Sequence, residues 1–239
     1  MKKSKKLLII LAGMLVLSSC TVAPLTGRRQ LKLVSDESVV NSSVSQYRQF
    51  INEASNKGLV VNNTPDGRRL KNIGNRIANA VETYLRENGL SKKVDSLQWE
   101  FNLIKSNEIN AFAMPGGKIA FYTGIMPVLQ TDSGIAFVMG HEIGHVIGGH
   151  HAEGESGRLA AGVASTITDV FTGGNVISSI VSDGLSIGLL KFNRTQEYEA
   201  DKYGMIFMAM AGYNPEDAIK AEERMLAAEK GGCSVEILS

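Results

Sequence analysis

The pentapeptide HEIGH at residues 141–145 constrains this chain more than any other feature of its sequence. Residues four apart in a helix lie on one face, so His141 and His145 can reach one metal ion with Glu142 beside them. Zinc held by two histidines and a third protein ligand activates water for attack on a carbonyl group. Glu142 would then take the proton from the attacking water. The motif therefore predicts the metal-binding helix of a zinc peptidase.

The residues around the pentapeptide fit a buried helix. Thr131 or Asp132 can cap its N-terminus, and apolar residues follow at helical spacing. These apolar residues are Ile135, Val138, Met139 and Ile143. The pentapeptide alone is a weak signal, because two histidines also occur by chance at this spacing on ordinary core or surface helices. The helical context favours the metal-binding interpretation.

The N-terminus has the pattern of a bacterial lipoprotein signal peptide. Four lysines within the first six residues precede an apolar run at residues 7–17, which is too short to span a bilayer as a helix. The run ends in Leu-Ser-Ser-Cys, which predicts cleavage after residue 19 and acylation of Cys20, whereas an ordinary secretory signal is the alternative. Thr21 stands where an aspartate would favour the inner membrane. We therefore expect a lipid-anchored protein at the outer membrane of a Gram-negative bacterium, facing the periplasm.

Charge and cysteine content limit both the partners and the sources of stability. The chain has 25 basic and 24 acidic residues, and removal of the four leader lysines leaves 21 basic against 24 acidic residues. This balance gives no indication of nucleic-acid binding. If Cys20 is acylated, Cys233 is the remaining cysteine and an intrachain disulfide cannot form. The 44% apolar content suffices for one domain with a hydrophobic core.

The residue pattern predicts one mostly helical domain of the α+β class, with a small β-sheet beside the metal-binding helix. We divide the chain into a signal peptide (residues 1–19), a lipidated, extended tether (20–34) and the domain itself (35–239). The further helices are predicted at 36–56, 66–88, 194–211 and from Asn214-Pro215 onward, and the strands at 97–104, 110–114 and 118–122. The last two strands form a hairpin or lie as neighbouring edge strands. Residues 157–190, rich in Gly and Ser, are expected to form two small-residue helices or a partly mobile lid.

Two residues compete as the third metal ligand. His151 extends the pentapeptide to the metzincin string HExxHxxGxxH, in which Gly148 lets the chain turn toward the metal. Against it, no Met-turn is recognisable downstream, and helices replace most of the strands that a metzincin has before this motif. The other candidate is Glu197, four residues before Asp201 on one predicted helix face. Asp201 could orient a histidine or donate to the reacting oxygen, while a solvated acidic helix face is the alternative.

Specific motifs are spread over nearly all of the predicted mature chain. They are Leu25-Thr-Gly-Arg28 with Gln30, Asn110-Ala-Phe-Ala-Met-Pro-Gly-Gly117, Tyr122-Thr-Gly124, the HExxH helix, Arg194-x-x-Glu197-x-x-x-Asp201 and Ala211-Gly-Tyr-Asn-Pro215. In this combination the chain resembles the HtpX-, BepA- and LoiP-like zinc metallopeptidases, which are related to the CAAX prenyl proteases. The resemblance implies a gluzincin-like fold with one zinc ion per chain.

The resemblance also assigns roles to individual residues. It implies that His141, His145 and Glu197 bind the zinc ion and that Glu142 is the general base. It further implies that Asp201 donates a proton or supports the site. On this basis the glutamate, and not the metzincin histidine, is the expected third ligand.

Other residues near the metal helix are expected to contact the substrate. A strand beside a metal cleft can pair with an extended peptide, which makes Asn110 and the 118–122 strand candidates. Arg194 could support the tetrahedral intermediate, although a structural salt bridge is the favoured interpretation. His150 and His151 are expected to be helix-end residues that do not bind zinc.

The resemblance implies a zinc-dependent endopeptidase that acts in quality control of misfolded or misassembled envelope proteins. The alternative is a chaperone or assembly factor for outer-membrane proteins with latent or weak protease activity. A structural zinc lipoprotein, in which metal loss and unfolding are coupled, is a third hypothesis. The expected partners are unfolded envelope proteins and, through acylated Cys20, the lipid bilayer.

Overall fold

A computed structural model describes residues 20–172, 192–231 and 235–237 of the 239-residue chain. The signal peptide and residues 173–190 of the expected lid lie outside the described residues. Cys20 is the first described residue, and its acylation stays a prediction. Within the described ranges, no helix combines the length and the apolar character needed to cross a membrane.

The described chain is mostly helical, with one two-stranded and one four-stranded sheet. Its helices are α1 (Asp36–Asn56), α2 (Pro65–Glu87), α3 (Ser91–Val94), α4 (Met126–Leu129), α5 (Asp132–Gly148), α6 (His150–Thr172), α7 (Arg194–Met210) and α8 (Glu216–Lys230). Its strands are β1 (Cys20–Val22), β2 (Arg29–Leu31), β3 (Glu100–Ile104), β4 (Ile109–Met114), β5 (Lys118–Tyr122) and β6 (Val235–Ile237). The α+β class predicted from the sequence is confirmed.

The four-stranded sheet has the order β3-β5-β4-β6. β4 and β5 form the predicted antiparallel hairpin, and Gly116 and Gly117 turn it with φ angles of 90° and 78°, which glycine adopts without strain. β5 also pairs in parallel with β3, so its main chain is paired on both sides. The prediction that the 118–122 strand offers a free edge to substrate is therefore wrong. β6, which the sequence pattern did not reveal, pairs in parallel with Ile109–Ala111 of β4.

Two helices predicted from apolar periodicity lie where the pattern placed them. α1 covers the predicted range, and α2 begins and ends one residue earlier than expected. The side chain of Thr64 caps α2 by accepting a hydrogen bond from the Gly67 amide at 3.1 Å. The predicted apolar stripe of α2 is buried against the sheet and α5; it consists of Leu70, Ile73, Ile77, Val81 and Leu85. Burial of this stripe positions α5 against the sheet.

The metal-helix region differs from the prediction at its C-terminal end. Thr131 caps α5 as expected, and its hydroxyl accepts a hydrogen bond from the Gly134 amide at 3.0 Å. Gly149 ends the helix with a φ of 75°, the left-handed conformation that favours glycine at a helix C-terminus. His150 and His151 therefore begin α6 and do not end α5, which corrects their predicted place. Because the chain turns at Gly149, the rings of His150 and His151 lie on α6 and not on the helix that carries His141 and His145.

The tether predicted at residues 20–34 contains the β1–β2 hairpin and is not simply extended. The hairpin turns through Gly27, whose φ is 67°. The Gln30 side chain donates a hydrogen bond to the carbonyl oxygen of Gly148 at 2.6 Å. The segment is thus packed onto the end of α5.

Glycines let α5 and α7 approach each other at backbone distance. A Cβ atom added to Gly140 would lie 2.9 Å from the Gly204 oxygen, and one added to Gly204 would lie 2.8 Å from the His141 nitrogen. A Cβ on Gly144 would lie 2.9 Å from the Ala200 oxygen. No side chain separates the two helices at these points. Residues on α7 can therefore reach the histidines of α5.

We expect Gly204→Ala to destabilise the protein by about 1–3 kcal/mol, because the added methyl group collides with helix backbone. Gly157→Ala is the matched control, since it lies in α6 and a Cβ there meets nothing within 4 Å. The control should gain up to about 1 kcal/mol of helix propensity. Urea denaturation of both variants measures the difference. Equal stability of the two variants would contradict the close helix contact.

Candidate metal centre

Three side chains from two helices converge on one point. His141 and His145 lie one turn apart on α5, and their Nε2 atoms are 3.2 Å apart. Glu197, in the first turn of α7, places Oε2 3.6 Å from the Nε2 of His141 and 3.8 Å from that of His145. Among the described residues, these three form the group whose ligand atoms could hold a metal ion.

The separations between the three ligand atoms fit zinc. Zinc binds histidine nitrogen and carboxylate oxygen at about 2.0–2.2 Å in tetrahedral geometry, which places neighbouring ligand atoms about 3.3 Å apart. The separations in the protein lie between 3.2 and 3.8 Å. Two imidazoles and one carboxylate are also a donor set found in catalytic zinc sites, and it leaves one position open. The residues present therefore fit a zinc ion.

Asp201 holds His141 from the side opposite the convergence point. It follows Glu197 by one turn of α7, and its Oδ1 lies 2.8 Å from Nδ1 of His141. When the Nδ1 proton is donated to this carboxylate, the lone pair of Nε2 is directed toward the metal position. Of the two roles considered for Asp201, the geometry favours orientation of His141.

His145 has a different partner on its far side. Its Nδ1 lies 2.9 Å from Nδ1 of His150, whose Nε2 lies 3.0 Å from Oε2 of Glu199. The ring of Phe192 stacks on His145 with centroids 4.2 Å apart and an interplanar angle of 17°. Burial lowers the pKa of His145 well below its ordinary value, which keeps the ring neutral and able to offer a lone pair.

His151, the competing third ligand, is not part of the converging group. It is buried at the start of α6, with its ring centroid 5.2 Å from that of Phe192. Burial lowers the pKa of His151 to about 3, so the ring is neutral at physiological pH. The structure thus brings Glu197, and not His151, to the two histidines of α5.

Glu142 is a buried carboxylate beside the metal position. Its side chain is 1% exposed, and its Oε2 accepts a hydrogen bond from the Ala113 amide of β4 at 3.3 Å. Its Oε1 is buried without a hydrogen-bond partner among the described residues. Burial raises the pKa of Glu142 to about 8, against the opposing effects of His141 and the Ala113 amide. A carboxylate with a pKa near the working pH is suited to accepting and returning a proton.

The remaining predicted site residues lie farther along the same elements. Asn110 is buried on β4, and its Oδ1 has no hydrogen-bond partner among the described residues. Arg194 is the first residue of α7 and is exposed, three residues before Glu197. Their proposed contacts with substrate stay predictions.

Sequence reasoning missed the polar network behind His145. Glu199 of α7 accepts hydrogen bonds from Thr26, Arg28 and His150, and Arg28 also pairs with Glu153. The available signal was the Leu25-Thr-Gly-Arg28 motif, which contributes to the family resemblance but indicates no chemical role by itself. The sequence could not show that this motif and α7 meet beneath the histidines.

The fold and this site together define the class of the protein, an α+β metallopeptidase domain. One helix offers two histidines, and a second helix offers the carboxylate that completes a metal site. The chain belongs to peptidase family M48, whose sequence model matches residues 69–232. The resemblance drawn from the motifs is confirmed.

Several relatives share part of their length with this chain. It is 33% identical over 139 residues to the mitochondrial metalloendopeptidase OMA1 of Saccharomyces cerevisiae, covering 57% of this chain and 40% of the relative. It is 28% identical over 149 residues to the metalloprotease LoiP of Escherichia coli, covering 60% and 58%. It is 28% identical over 172 residues to the putative beta-barrel assembly-enhancing protease of Vibrio cholerae, covering 66% and 32%. The chain thus spans less than two thirds of each of these relatives.

Proposed function

We propose that the protein is a zinc-dependent metalloendopeptidase that hydrolyses peptide bonds of misfolded or misassembled envelope proteins. In this proposal it is anchored through acylated Cys20 to the outer membrane and faces the periplasm. The observation that carries the proposal is the convergence of His141, His145 and Glu197 with the Glu142 carboxylate beside them. Membership of peptidase family M48 supports the same chemistry.

Each residue of the site has its own role in peptide hydrolysis. His141, His145 and Glu197 would hold the zinc ion, which when bound supplies a Lewis acid that polarises the scissile carbonyl. Glu142 takes a proton from the attacking water and returns it to the leaving nitrogen. Asp201 keeps the lone pair of His141 on Nε2.

The sheet supports binding of an extended substrate next to Glu142. β6 pairs with Ile109–Ala111, and in the described part of the chain this edge of β4 carries no paired strand at residues 112–114. The Ala113 amide on this edge already contacts Glu142. Residues 112–114 are buried, so an extended peptide would pair here by displacing the contact between Ala113 and Glu142, which would place its main chain at the site. Recognition of main chain favours unfolded substrates, because most main-chain groups of a folded protein are already hydrogen-bonded.

Two features support the proposed location and substrates. The leader ends in Leu-Ser-Ser-Cys, and acyl chains on Cys20 would bind a bilayer with about 0.8 kcal/mol for each buried methylene group. Relatives from Vibrio cholerae and Escherichia coli carry the name beta-barrel assembly-enhancing protease. That name also motivates the second candidate function, a chaperone or assembly factor with little proteolysis.

The test is metal analysis and casein cleavage with the purified protein. We expect about one zinc per chain, cleavage of unfolded casein, loss of cleavage with a chelator and recovery when zinc is added back. Binding that prevents aggregation without cleavage would favour the chaperone. Unfolding on chelation, with no cleavage before it, would favour a structural zinc site. Absence of zinc from the folded protein would refute the proposal.

A further inference from the structure

Glu199 is a buried carboxylate that the proposed reaction does not use. Its side chain is 2% exposed, and it lies on α7 behind the metal position. Its oxygens accept hydrogen bonds from the Thr26 hydroxyl, from Nε of Arg28 at 2.9 Å and from Nε2 of His150 at 3.0 Å. A buried charge costs free energy unless it is paired and hydrogen-bonded. These three donors hold the Glu199 carboxylate in place and stabilise its negative charge.

His150 connects Glu199 to a proposed metal ligand. Its ring is completely buried, with Nε2 on the carboxylate and Nδ1 2.9 Å from Nδ1 of His145. To offer a lone pair at Nε2, His145 must carry its proton on Nδ1, and His150 must accept it. His150 then carries its own proton on Nε2, where Glu199 accepts it. One arrangement of protons satisfies all three groups and leaves Nε2 of His145 ready for a metal.

Arg28 fixes the other end of this chain of contacts. Besides Glu199, its guanidinium binds both oxygens of Glu153 at 2.7 and 2.6 Å. Glu153 also accepts a hydrogen bond from the Gln196 side chain at 2.8 Å. Two carboxylates from α6 and α7 therefore hold Arg28 in place. The N-terminal segment, residues 23–31, is tied by this arginine to the helices that carry the site.

We propose that Arg28, Glu199 and His150 are positioning residues that fix the orientation and the tautomer of His145. The N-terminal segment, which begins three residues after Cys20, then supports a metal ligand through Arg28. This inference rests on the proposed function in one respect, namely that His145 is a metal ligand. His141 is held independently by Asp201, so the two ligands have separate supports.

The zinc affinity of the full-length Glu199→Gln variant tests the proposal, measured by competition with a chromogenic chelator. Oε2 accepts from both Arg28 and His150, so the glutamine keeps its oxygen at that position and turns its NH2 group to the Thr26 hydroxyl. A neutral amide oxygen holds the Nε2 proton of His150 more weakly than a carboxylate does, which weakens the support of His145. We expect zinc to bind about 10–100-fold more weakly than in the wild type. The visible spectrum of bound Co²⁺, which reports on ligand geometry, should also change. Glu155→Gln, a buried carboxylate on α6 paired with Arg158, is the matched control and should bind zinc normally.

A second variant separates positioning from folding. Arg28→Gln changes a partly exposed side chain and removes the charged one of the three donors to Glu199 on the side away from His145, without altering the histidines. This variant should also weaken zinc binding. Its zinc affinity tests the positioning role if the Glu199→Gln variant does not fold. Wild-type affinity in whichever variant folds would overturn the positioning role and leave the proposed function intact. Failure of the wild-type protein to bind zinc would overturn both.

Discussion

Replacement of Glu142 by glutamine is expected to slow peptide cleavage by about 10²–10⁴-fold while zinc stays bound. An amide cannot take a proton from the attacking water, so the loss falls on the chemical step. The amide oxygen can still accept the hydrogen bond that the Ala113 amide now gives to Oε2 at 3.3 Å. The side chain has the same shape, and Glu142 is not one of the three converging ligands. The metal site should therefore remain intact.

Casein cleavage and zinc content, measured on the same preparation, check this result. Glu155→Gln is the control, because it neutralises a buried carboxylate that is not one of the proposed site residues. This variant should retain both casein cleavage and zinc. If pure Glu142→Gln protein turned over substrate at the wild-type rate, Glu142 would not be the base. If the variant lost its zinc, the carboxylate would be part of the metal site.

Glu197→Ala is expected to strip the protein of zinc, whereas His151→Ala is expected to keep it. Removal of one of three protein ligands should cost more affinity than the roughly 10–100-fold that substitution of outer residues costs. The carboxylate of Glu197 lies 3.6 and 3.8 Å from the two histidine nitrogens, and the ring of His151 lies outside this group. The pair of variants therefore compares the two candidate ligands directly.

Metal analysis after dialysis against a weak chelator measures both variants side by side. Thermal unfolding belongs in the same experiment, because truncation of the buried His151 ring leaves a cavity and lowers stability without touching the metal. Zinc loss from the folded His151 variant, with retention in the Glu197 variant, would establish the metzincin-like ligand set in place of the proposed one.

Elements with a strong local signal were predictable from the sequence. The apolar stripe of α2 and the Thr131 cap of α5 are recognisable in the sequence, and α1, α2 and α7 begin and end within one residue of the expected bounds. The 97–104 strand was expected too early, since β3 begins at Glu100. β6 and the β1–β2 hairpin are only three residues per strand. Such short strands have too few residues to show an alternating pattern.

Gly149 determines which helix carries His150 and His151. A helix continued through Gly149 would have extended α5 through both rings. The φ of 75° at Gly149 ends α5 and starts α6. His150 consequently reaches Glu199 and His145, a contact that no spacing rule predicts.

The helical repeat alone places His141 and His145 on one helix face with Glu142 beside them, because it brings side chains four residues apart to the same side of the helix. Which third residue joins these two histidines depends on how α5 and α7 pack against each other. Gly140 and Gly204 allow the backbones of α5 and α7 to approach where any Cβ would collide, and this brings Glu197 to the histidines. A local repeat is set by backbone geometry along the chain, whereas a contact between distant helices depends on how their surfaces pack.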